Sequence, residues 1–207
     1  MSAKAETLSL ADEQRDLARA RITRAAREVM ATRGLSATVD EIAETAGVSR
    51  RTVFRHFTTR ERVLAGAIRD GVRSYGQQLP ELDGTTVDDW LLDLLTTAHR
   101  LNAHNGRAYW ELSTLEPELT GDLAVAAADR RSARRHFARR VADRLWQARG
   151  GTGKPPAWLV DAVAVHTSGF TTQALAGDFD RTSDDVARVS QRVLLASLDA
   201  ALASTPT

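Results

Sequence analysis

The stretch Thr38-Val-Asp-Glu-Ile-Ala-Glu-Thr-Ala-Gly-Val-Ser-Arg-Arg-Thr-Val-Phe-Arg-His-Phe57 decides the fold of this chain. Thr38 is followed three residues later by Glu41, which is the pattern of a capping box at a helix start. Four apolar residues then recur with the spacing of one buried helical face: Val39, Ile42, Ala43 and Ala46. Gly47 follows them, where glycine can adopt the left-handed conformation that ends a helix. The first half of the stretch therefore predicts a short amphipathic helix with defined ends.

The second half predicts another short helix, which begins just after Gly47. Ser49 is a good N-cap residue only two positions further on, so the two helices must turn sharply against each other. Val53 and Phe57 share one side of the second helix, with Phe54 close to them. The other side carries cationic and hydrogen-bonding residues: Arg51, Thr52, Arg55 and His56. This arrangement is a helix-turn-helix.

The polar side of the second helix has the chemistry of a DNA-reading surface. Arginine can bind O6 and N7 of guanine with two hydrogen bonds, and threonine can contact a thymine methyl group or a phosphate. Since the N-terminal residues of a recognition helix usually reach the base edges, Arg50, Arg51 and Thr52 are the leading candidates. The alternative is a solvated face on a short connecting helix. The two caps and the tight glycine turn favour DNA binding.

Residues 15 to 75 resemble the N-terminal domain of the TetR family of bacterial transcriptional regulators. The resemblance lies in Ala46-Gly-Val-Ser49, in Thr52-Val-Phe-Arg-His-Phe57 and in Arg60-Glu61. It implies a three-helix DNA-binding unit with residues 50 to 56 in the major groove and with Thr38 and Arg60 at phosphates. The full expected DNA-binding set is Thr38, Ser49, Arg50, Arg51, Thr52, Phe54, Arg55, His56 and Arg60.

Phe54 departs from the family pattern. The family commonly has tyrosine at this position, and its hydroxyl usually reaches a phosphate. Phenylalanine cannot donate that hydrogen bond. Either His56 therefore replaces the contact, or Phe54 serves only in packing.

Composition indicates a folded protein that carries its positive charge near the helix-turn-helix. The 207 residues are 43% hydrophobic and 27% charged, which is too hydrophobic for a disordered chain. Residues 11 to 75 hold 13 arginines and nine acidic residues, whereas residues 76 to 207 hold 14 basic and 17 acidic residues. The excess thus lies where phosphate attraction requires it. There is no cysteine, no apolar run of membrane-spanning length and no signal-peptide core, so we expect a soluble cytoplasmic protein with no membrane partner.

The periodicity predicts an all-α fold of about nine helices in two parts. Residues 1–12 are expected to be a disordered tail, residues 13–59 the DNA-binding domain and residues 60–207 a larger C-terminal domain. The first helix should run from about Arg15 to Arg33, and a fourth should open at Thr59 and link the two domains. The remaining expected helices run from about Thr86 to Asn105-Gly106, through a short segment at 109–112, from about Leu119 or Asp122 to Arg149, and over about 157–176 and 183–203.

No catalytic, cofactor or metal motif stands out. Gly151-Thr-Gly-Lys154 fails as a phosphate loop, because Ala148 stands where the first glycine would be and Pro155 follows the lysine. His99 and His104 are five residues apart and do not share a helix face. We therefore expect neither an enzyme nor a resident cofactor.

Arg130 and Arg134 interrupt the apolar face of the long helix, one turn apart. A buried arginine needs an anion. One interpretation is an ion pair with Glu111, Glu116 or Glu118, or a bend that exposes this turn. The other is contact with an anionic group of an effector. The expected ligand-binding set, in which each aromatic or histidine also suits a plain core, is Trp90, His99, Tyr109, Trp110, Arg130, Arg134, Phe137, His166 and Phe170.

The last two helices are apolar on more than one side, which is typical of internal helices or of a subunit interface. The resemblance selects an interface, because this helix pair typically meets its twofold mate in a four-helix bundle. The expected interface residues are Trp158, Val186, Val189, Ser190, Val193, Ser197 and Ala200. Such a dimer would place two reading heads on a pseudo-palindromic operator at about 34–36 Å.

The sequence thus favours a homodimeric transcriptional regulator, a repressor that a small-molecule effector releases from a palindromic operator. Two alternatives stay open. One is a DNA-binding activator or architectural protein without an effector. The other is a helical small-molecule-binding enzyme that retains a vestigial DNA-binding domain.

Overall fold

The computed structural model describes residues 9–81, 86–115 and 118–204, and within these ranges the fold is all-α with no strand. This confirms the expected fold class. A 3-10 turn, Gly34–Ser36, joins the first two helices. Over the described ranges, the α-helices are α1 Leu10–Arg33, α2 Val39–Ala46, α3 Arg50–Phe57, α4 Arg60–Gln78, α5 Val87–Thr114, α6 Gly121–Ala148, α7 Ala157–His166, α8 Gly169–Phe179 and α9 Ser183–Ala203.

The helix-turn-helix has the ends that its residues predict. The hydroxyl of Thr38 accepts a hydrogen bond from the backbone N–H of Glu41, and the Glu41 carboxylate accepts one from the backbone N–H of Thr38, which completes the capping box. Gly47 ends α2 in the left-handed conformation, at φ 61° and ψ 40°. Ser49 then caps α3 by accepting from the backbone N–H of Thr52. Two well-capped helices therefore meet across a turn of only three residues.

The N-terminal unit closes over a core of small and medium apolar side chains from α1 to α4. Val53 and Phe57 of α3 are almost fully buried in it, as are Val63 and Leu64 of α4. The first half of α4 thus packs with the DNA-binding unit, although the expected domain boundary lies after residue 59. Ala108 and Leu112 of α5 also enter this core, so the two halves share a continuous packed contact.

Helix α1 begins earlier than expected. Ser9 caps it by accepting a hydrogen bond from the backbone N–H of Asp12 at 3.2 Å. Leu10, Ala11 and Asp12, which were expected in a disordered tail, are therefore helical; the rest of that tail, residues 1–8, lies outside the described residues. A serine followed three residues later by aspartate is a local capping signal.

Helix α5 continues through Asn105-Gly106, where the sequence predicted its end. The amide of Asn105 donates to the carbonyl oxygen of Leu101 at 2.9 Å, inside the helix. A Cβ atom on Gly106 would lie 2.4 Å from Nε2 of Gln173 on α8. This glycine therefore permits close packing between two helices and does not end one.

The helix expected over residues 157–176 is divided in two. Helix α7 ends at His166, and Ser168 starts α8 by accepting from the backbone N–H of Thr171 at 3.2 Å. The break turns Thr167, Ser168 and Gly169 towards the interior of the C-terminal half. Along the described ranges, no helix is long and apolar enough to span a membrane.

Candidate functional site

Helix α3 presents the expected polar face to solvent. Val53 and Phe57 are buried beneath it, while Arg51 and Arg55 are exposed. Within the described ranges, the structure gives no ion pair for Arg51. A helix whose apolar side is fixed in a core and whose cationic side is free has the geometry required to enter a major groove.

Arg50 is less free than Arg51. Its guanidinium forms an ion pair with the carboxylate of Asp40 on α2 at 2.9 Å. It also lies over the ring of Phe54, 5.4 Å from the centroid. Phe54 itself is half-buried and packs against the N-terminal core. Phe54 therefore has a packing role here and supports the side chain of Arg50.

The hydroxyls of Thr38, Ser49 and Thr52 are already used in helix caps. Thr38 Oγ1 donates to Glu41 Oε2 at 2.8 Å, and these hydrogen bonds lower the pKa of Glu41. Ser49 Oγ and Thr52 Oγ1 lie 2.9 Å apart. Contact with DNA through these hydroxyls would therefore compete with the caps.

Arg60 and His56 lie differently from expectation. Nε of Arg60 donates to the carbonyl oxygen of Ala37 at 2.8 Å, and Nη2 donates to that of Leu35. Arg60 thus ties the segment before α2 to the start of α4, which consumes donors expected at a phosphate. Nε2 of His56 is buried and finds no partner among the described residues. Burial, together with nearby arginines led by Arg55, lowers its pKa, so Nε2 does not replace the missing tyrosine hydroxyl.

Helix α1 adds arginines beside the reading helix. The guanidinium of Arg19 lies 4.8 Å from the ring centroid of Phe57. Arg21 reaches the turn, because a Cβ atom on Gly47 would lie 2.6 Å from its Nη2. Arg27, by contrast, is held by Asp70 of α4 at 3.1 Å. The part of α1 closest to α3 therefore adds positive charge at the edge of the reading surface.

The C-terminal half contains a cavity of about 550 Å³ between α4, α5, α6 and the α7–α8 turn. This is within the range of ligand-binding pockets. Five of the nine residues expected to bind a ligand line it: Trp90, Tyr109, Arg130, Arg134 and Phe137. Other lining residues were not predicted from the sequence, among them Val72, Tyr75, Leu94, Asn102, Thr167 and Ser168.

The remaining four expected ligand residues do not line this cavity. His99 is fully buried, with Nδ1 2.8 Å from the hydroxyl of Thr172, and burial lowers its pKa to about 4. His166 lies 3.4 Å from the hydroxyl of Ser190. Trp110 and Phe170 form an exposed ring pair with centroids 4.9 Å apart. These residues are thus core or surface packing in this chain, because their positions on α5, α7 and α8 place them away from the cavity lining.

Arg130 and Arg134 point into the cavity without the expected carboxylate. The guanidinium of Arg130 lies 5.0 Å from the ring centroid of Tyr109, and its Nη1 donates to Ser113 at 3.3 Å. Arg134 donates to the carbonyl oxygen of Ala164 at 2.9 Å. Burial is the main cause that lowers the pKa of both groups. Among the described residues, no carboxylate lies within ion-pair distance of either.

Two of the three glutamates proposed as ion-pair partners of Arg130 and Arg134 are described by the structure, and both have other surroundings. Glu111 accepts a hydrogen bond from the backbone N–H of Leu35 at 2.5 Å and pairs with Arg107 at 3.1 Å. Glu118 is exposed, and Glu116 lies outside the described residues. The carboxylate of Glu111 therefore serves a contact between α5 and the DNA-binding unit.

The cavity and the reading unit are joined through α4 and α5. Helix α5 carries Tyr109 in the cavity wall and, half a turn later, Glu111 against Leu35. Helix α4 carries Tyr75 in the wall, and Arg62 and Arg69 on α4 pair with acidic residues of α6 at 3.1 Å. Helix α5 thus contacts both the cavity and the segment before α2, and α4 contributes both to the cavity and to the N-terminal core.

The expected dimer residues fall into two groups. Trp158, Val189 and Val193 are exposed, although they are large and apolar, and Ala200 is exposed beside them on α9. Val186 and Ser190 are fully buried within the chain, so they belong to its core. Ser197 is half-buried. The outward apolar face of α9 thus contains Val189, Val193 and Ala200, and the inward face contains Val186 and Ser190.

Within the described ranges, no group of three or more metal-ligating side chains could hold a metal ion. Residues 22–67 match the family profile described as bacterial regulatory proteins, tetR family. No curated protein sequence matches the chain.

Three solved structures show the same fold at low identity. A TetR-family transcriptional regulator from Streptomyces coelicolor is 19% identical, with a TM-score of 0.65 over 92% of this chain and 90% of that one. The regulator FadR from Bacillus subtilis, in complex with stearoyl-CoA, is 15% identical, with a TM-score of 0.61 over 85% and 95%. NalD, the secondary repressor of the MexAB-OprM multidrug efflux pump in Pseudomonas aeruginosa, is 21% identical, with a TM-score of 0.57 over 88% and 96%.

The profile match covers the helix-turn-helix whose geometry is described above, and the structural matches cover most of both halves. Residues 22–67 are thus similar to the tetR family of bacterial regulatory proteins, and the chain has the fold of the TetR-family transcriptional regulators that it matches.

Proposed function

We propose that this protein is a homodimeric, sequence-specific repressor that leaves a palindromic operator when a small molecule enters its cavity. The observation that carries the proposal is the exposed arginine face of α3, which is fixed on a buried apolar side by Val53 and Phe57. Arg51 and Arg55 are the leading residues for direct contact with DNA. Arg50 is a third base reader once its ion pair with Asp40 opens or turns.

Dimer formation is proposed through the outward face of α9 together with α7. Large apolar side chains such as Trp158, Val189 and Val193 are each about 40 to 46% exposed on this side. Exposed apolar groups of this size on one side of a molecule are typical of an interface. A twofold axis there would place two copies of α3 on successive turns of the groove, about 34–36 Å apart.

Release by an effector is proposed because the cavity lies between α4, α5 and α6, which also hold the reading unit. An effector acts as a switch only if it favours the conformation that does not fit the operator. NalD shares the fold and is a repressor, and FadR shares it and binds stearoyl-CoA. NalD thus supports a repressor, and FadR supports a regulator that binds a small molecule.

A regulator without an effector is the second candidate. A cavity of about 550 Å³ with several polar groups weighs against it, since an apolar core without a function would be closed by packing. An enzyme is the weakest candidate, because the family matches and the solved structures are regulators.

Selection of bound sequences from random double-stranded DNA tests the proposal. We expect a palindromic motif, and the logarithm of the affinity should fall linearly with the logarithm of the salt concentration as phosphate contacts are lost.

Val193→Asp is the variant that tests the dimer, because it places a charge in the proposed interface. Arg192→Asp, at the exposed neighbouring position, is its control. Recovery of no palindrome, or an affinity indifferent to salt, would contradict the proposal. Failure to retard any DNA would revive the enzyme reading.

A further inference from the structure

One wall of the cavity combines two half-buried cations with an aromatic lining. Arg130 and Arg134 are one turn apart on α6, so their side chains lie on the same face of the helix. The aromatic residues Tyr75, Tyr109 and Phe137 surround them, and Tyr75 and Phe137 pack edge to face at 6.2 Å. This part of the wall therefore combines aromatic side chains with two adjacent guanidinium groups.

These two cations are not neutralised by the described parts of the chain. Arg130 has a hydroxyl and an aromatic ring as partners, and Arg134 has a backbone carbonyl. A guanidinium has five N–H donors, so each retains donors for another group. The neighbouring charge of Arg134 further lowers the pKa of Arg130. An anion between them would relieve both the burial of charge and the mutual repulsion.

Both signs of charge line the rest of the cavity. Arg140 and Arg144 lie on the next two turns of α6, and Glu81 and Asp143 line the same cavity and balance their charge. Among the described residues, Arg130 and Arg134 are therefore the cations of the lining that no such pair of carboxylates balances. The body of the ligand would then lie against apolar residues such as Leu94 and Val141, which also line the cavity.

We propose that the effector is an amphipathic organic anion, whose carboxylate or phosphate head binds Arg130 and Arg134 and whose apolar body packs against Tyr75, Phe137 and Trp90. This inference rests on the proposed function, since it names the ligand class of the same cavity. Guanidinium groups bind both kinds of head with paired hydrogen bonds. A neutral hydrophobic ligand would cover two half-buried cations without supplying a counter-charge.

Isothermal titration calorimetry on the full-length protein without DNA tests the ligand class. The probes are 2-naphthoate, 2-naphthyl phosphate and decanoate, with 2-naphthamide and decanamide as neutral counterparts of the two acids. We expect at least one anion to bind about ten-fold more tightly than its neutral counterpart, as a hydrogen-bonded charge predicts. A preference for naphthoate over naphthyl phosphate would assign a carboxylate head, and the reverse a phosphate head.

Variants of α6 separate the head from the body of the ligand. Arg130→Gln and Arg134→Gln should each lower the affinity for the preferred anion by about ten- to a hundred-fold. The affinity for the amides should change by less than about three-fold. Arg134→Lys keeps the charge and should recover part of the loss. Arg135→Gln, on the exposed side of the same helix, is the matched control and should bind like the unaltered protein.

Three outcomes overturn the inference: amides that bind as tightly as anions, arginine variants that weaken both kinds of probe alike, and no anion bound at about 1 mM. Thermal unfolding shows whether each variant is folded. If the glutamine variants are not folded, the binding of the anion and its amide to folded Arg134→Lys decides the question. DNA selection is a separate measurement. If the operator is recovered but anions fail, the regulator stands with another ligand class.

Discussion

The two halves of this protein are stabilised in different ways. The N-terminal unit uses short helices whose ends are fixed by neighbouring residues, such as the Thr38 and Glu41 capping box, over a core of small and medium apolar side chains. The C-terminal half uses the long helices α5 and α6, whose arrangement leaves a cavity with two arginines in its wall. The helix-turn-helix and the cavity thus lie in different halves of the molecule, and α4 and α5 contribute to both halves.

Phe57→Ala gives the largest expected effect, because it removes a ring from the centre of the N-terminal core. Truncation of a buried phenylalanine costs about 3–5 kcal/mol of unfolding free energy, and Phe57 is 3% exposed. All four tryptophans lie between residues 90 and 158, so their fluorescence reports the C-terminal half. In Phe57→Ala, we expect the helical circular dichroism signal to decrease at a lower denaturant concentration than the one at which the tryptophan fluorescence changes. Arg55→Ala, on the exposed side of α3, is the control; coincident transitions in Phe57→Ala would show that the halves unfold as one.

Glu111→Ala tests the contact between the halves. It removes the acceptor of the Leu35 N–H and the partner of Arg107, and hydrogen bonds to charged groups contribute about 1.5–3 kcal/mol. We expect a loss in this range by chemical denaturation, with wider separation of the circular dichroism and fluorescence transitions. Glu118→Ala, an exposed glutamate, should change neither. An equal response of the two variants would remove Glu111 from the connection.

Acid should destabilise the C-terminal half through His99. Its pKa is about 4 in the folded chain, because burial disfavours the charged form, and about 6.5 when unfolded. The unfolded state therefore binds more protons between these values, so stability is full above about pH 6.5 and is lost as the pH falls towards 4. The expected loss between pH 7.5 and 5 is about 2 kcal/mol. His99→Gln should reduce this pH dependence and the exposed His104→Gln should not; an unchanged dependence in His99→Gln would assign it to other groups.

Arg51 and Arg60 should differ in DNA binding, with the smallest free-energy change of the four predictions. Arg51→Ala should relax base preference at one operator position by about ten-fold, with little change in stability. Arg60→Ala should instead lower the thermal stability of the N-terminal unit, because it removes the donors to the carbonyls of Leu35 and Ala37. Both are measured by operator-variant binding and thermal unfolding. A uniform loss of affinity in a fully stable Arg60→Ala would restore its expected role at a phosphate.

Part of the candidate site could be predicted because it consists of residues that break a local pattern. Arg130 and Arg134 stood out as charges in an apolar stripe, and both line the cavity. Tyr75 gave no such signal, because an aromatic residue near the end of an amphipathic helix suits any core. His99 has the residue type of a pocket and yet is core, since only its rotation on α5 decides which neighbour it meets.

The helix-turn-helix, the all-α fold and the polar face of α3 could be predicted from local patterns in the sequence. Capping boxes, glycine ends and apolar spacing act within three or four residues, so they are readable without knowledge of any distant contact. Only the tertiary structure decided that α5 continues through Gly106, that Arg60 turns inward, and that Val186 faces the core while Val189 faces outward. Each of these depends on packing between elements far apart in the chain, and such contacts leave no periodic trace in the residues that make them.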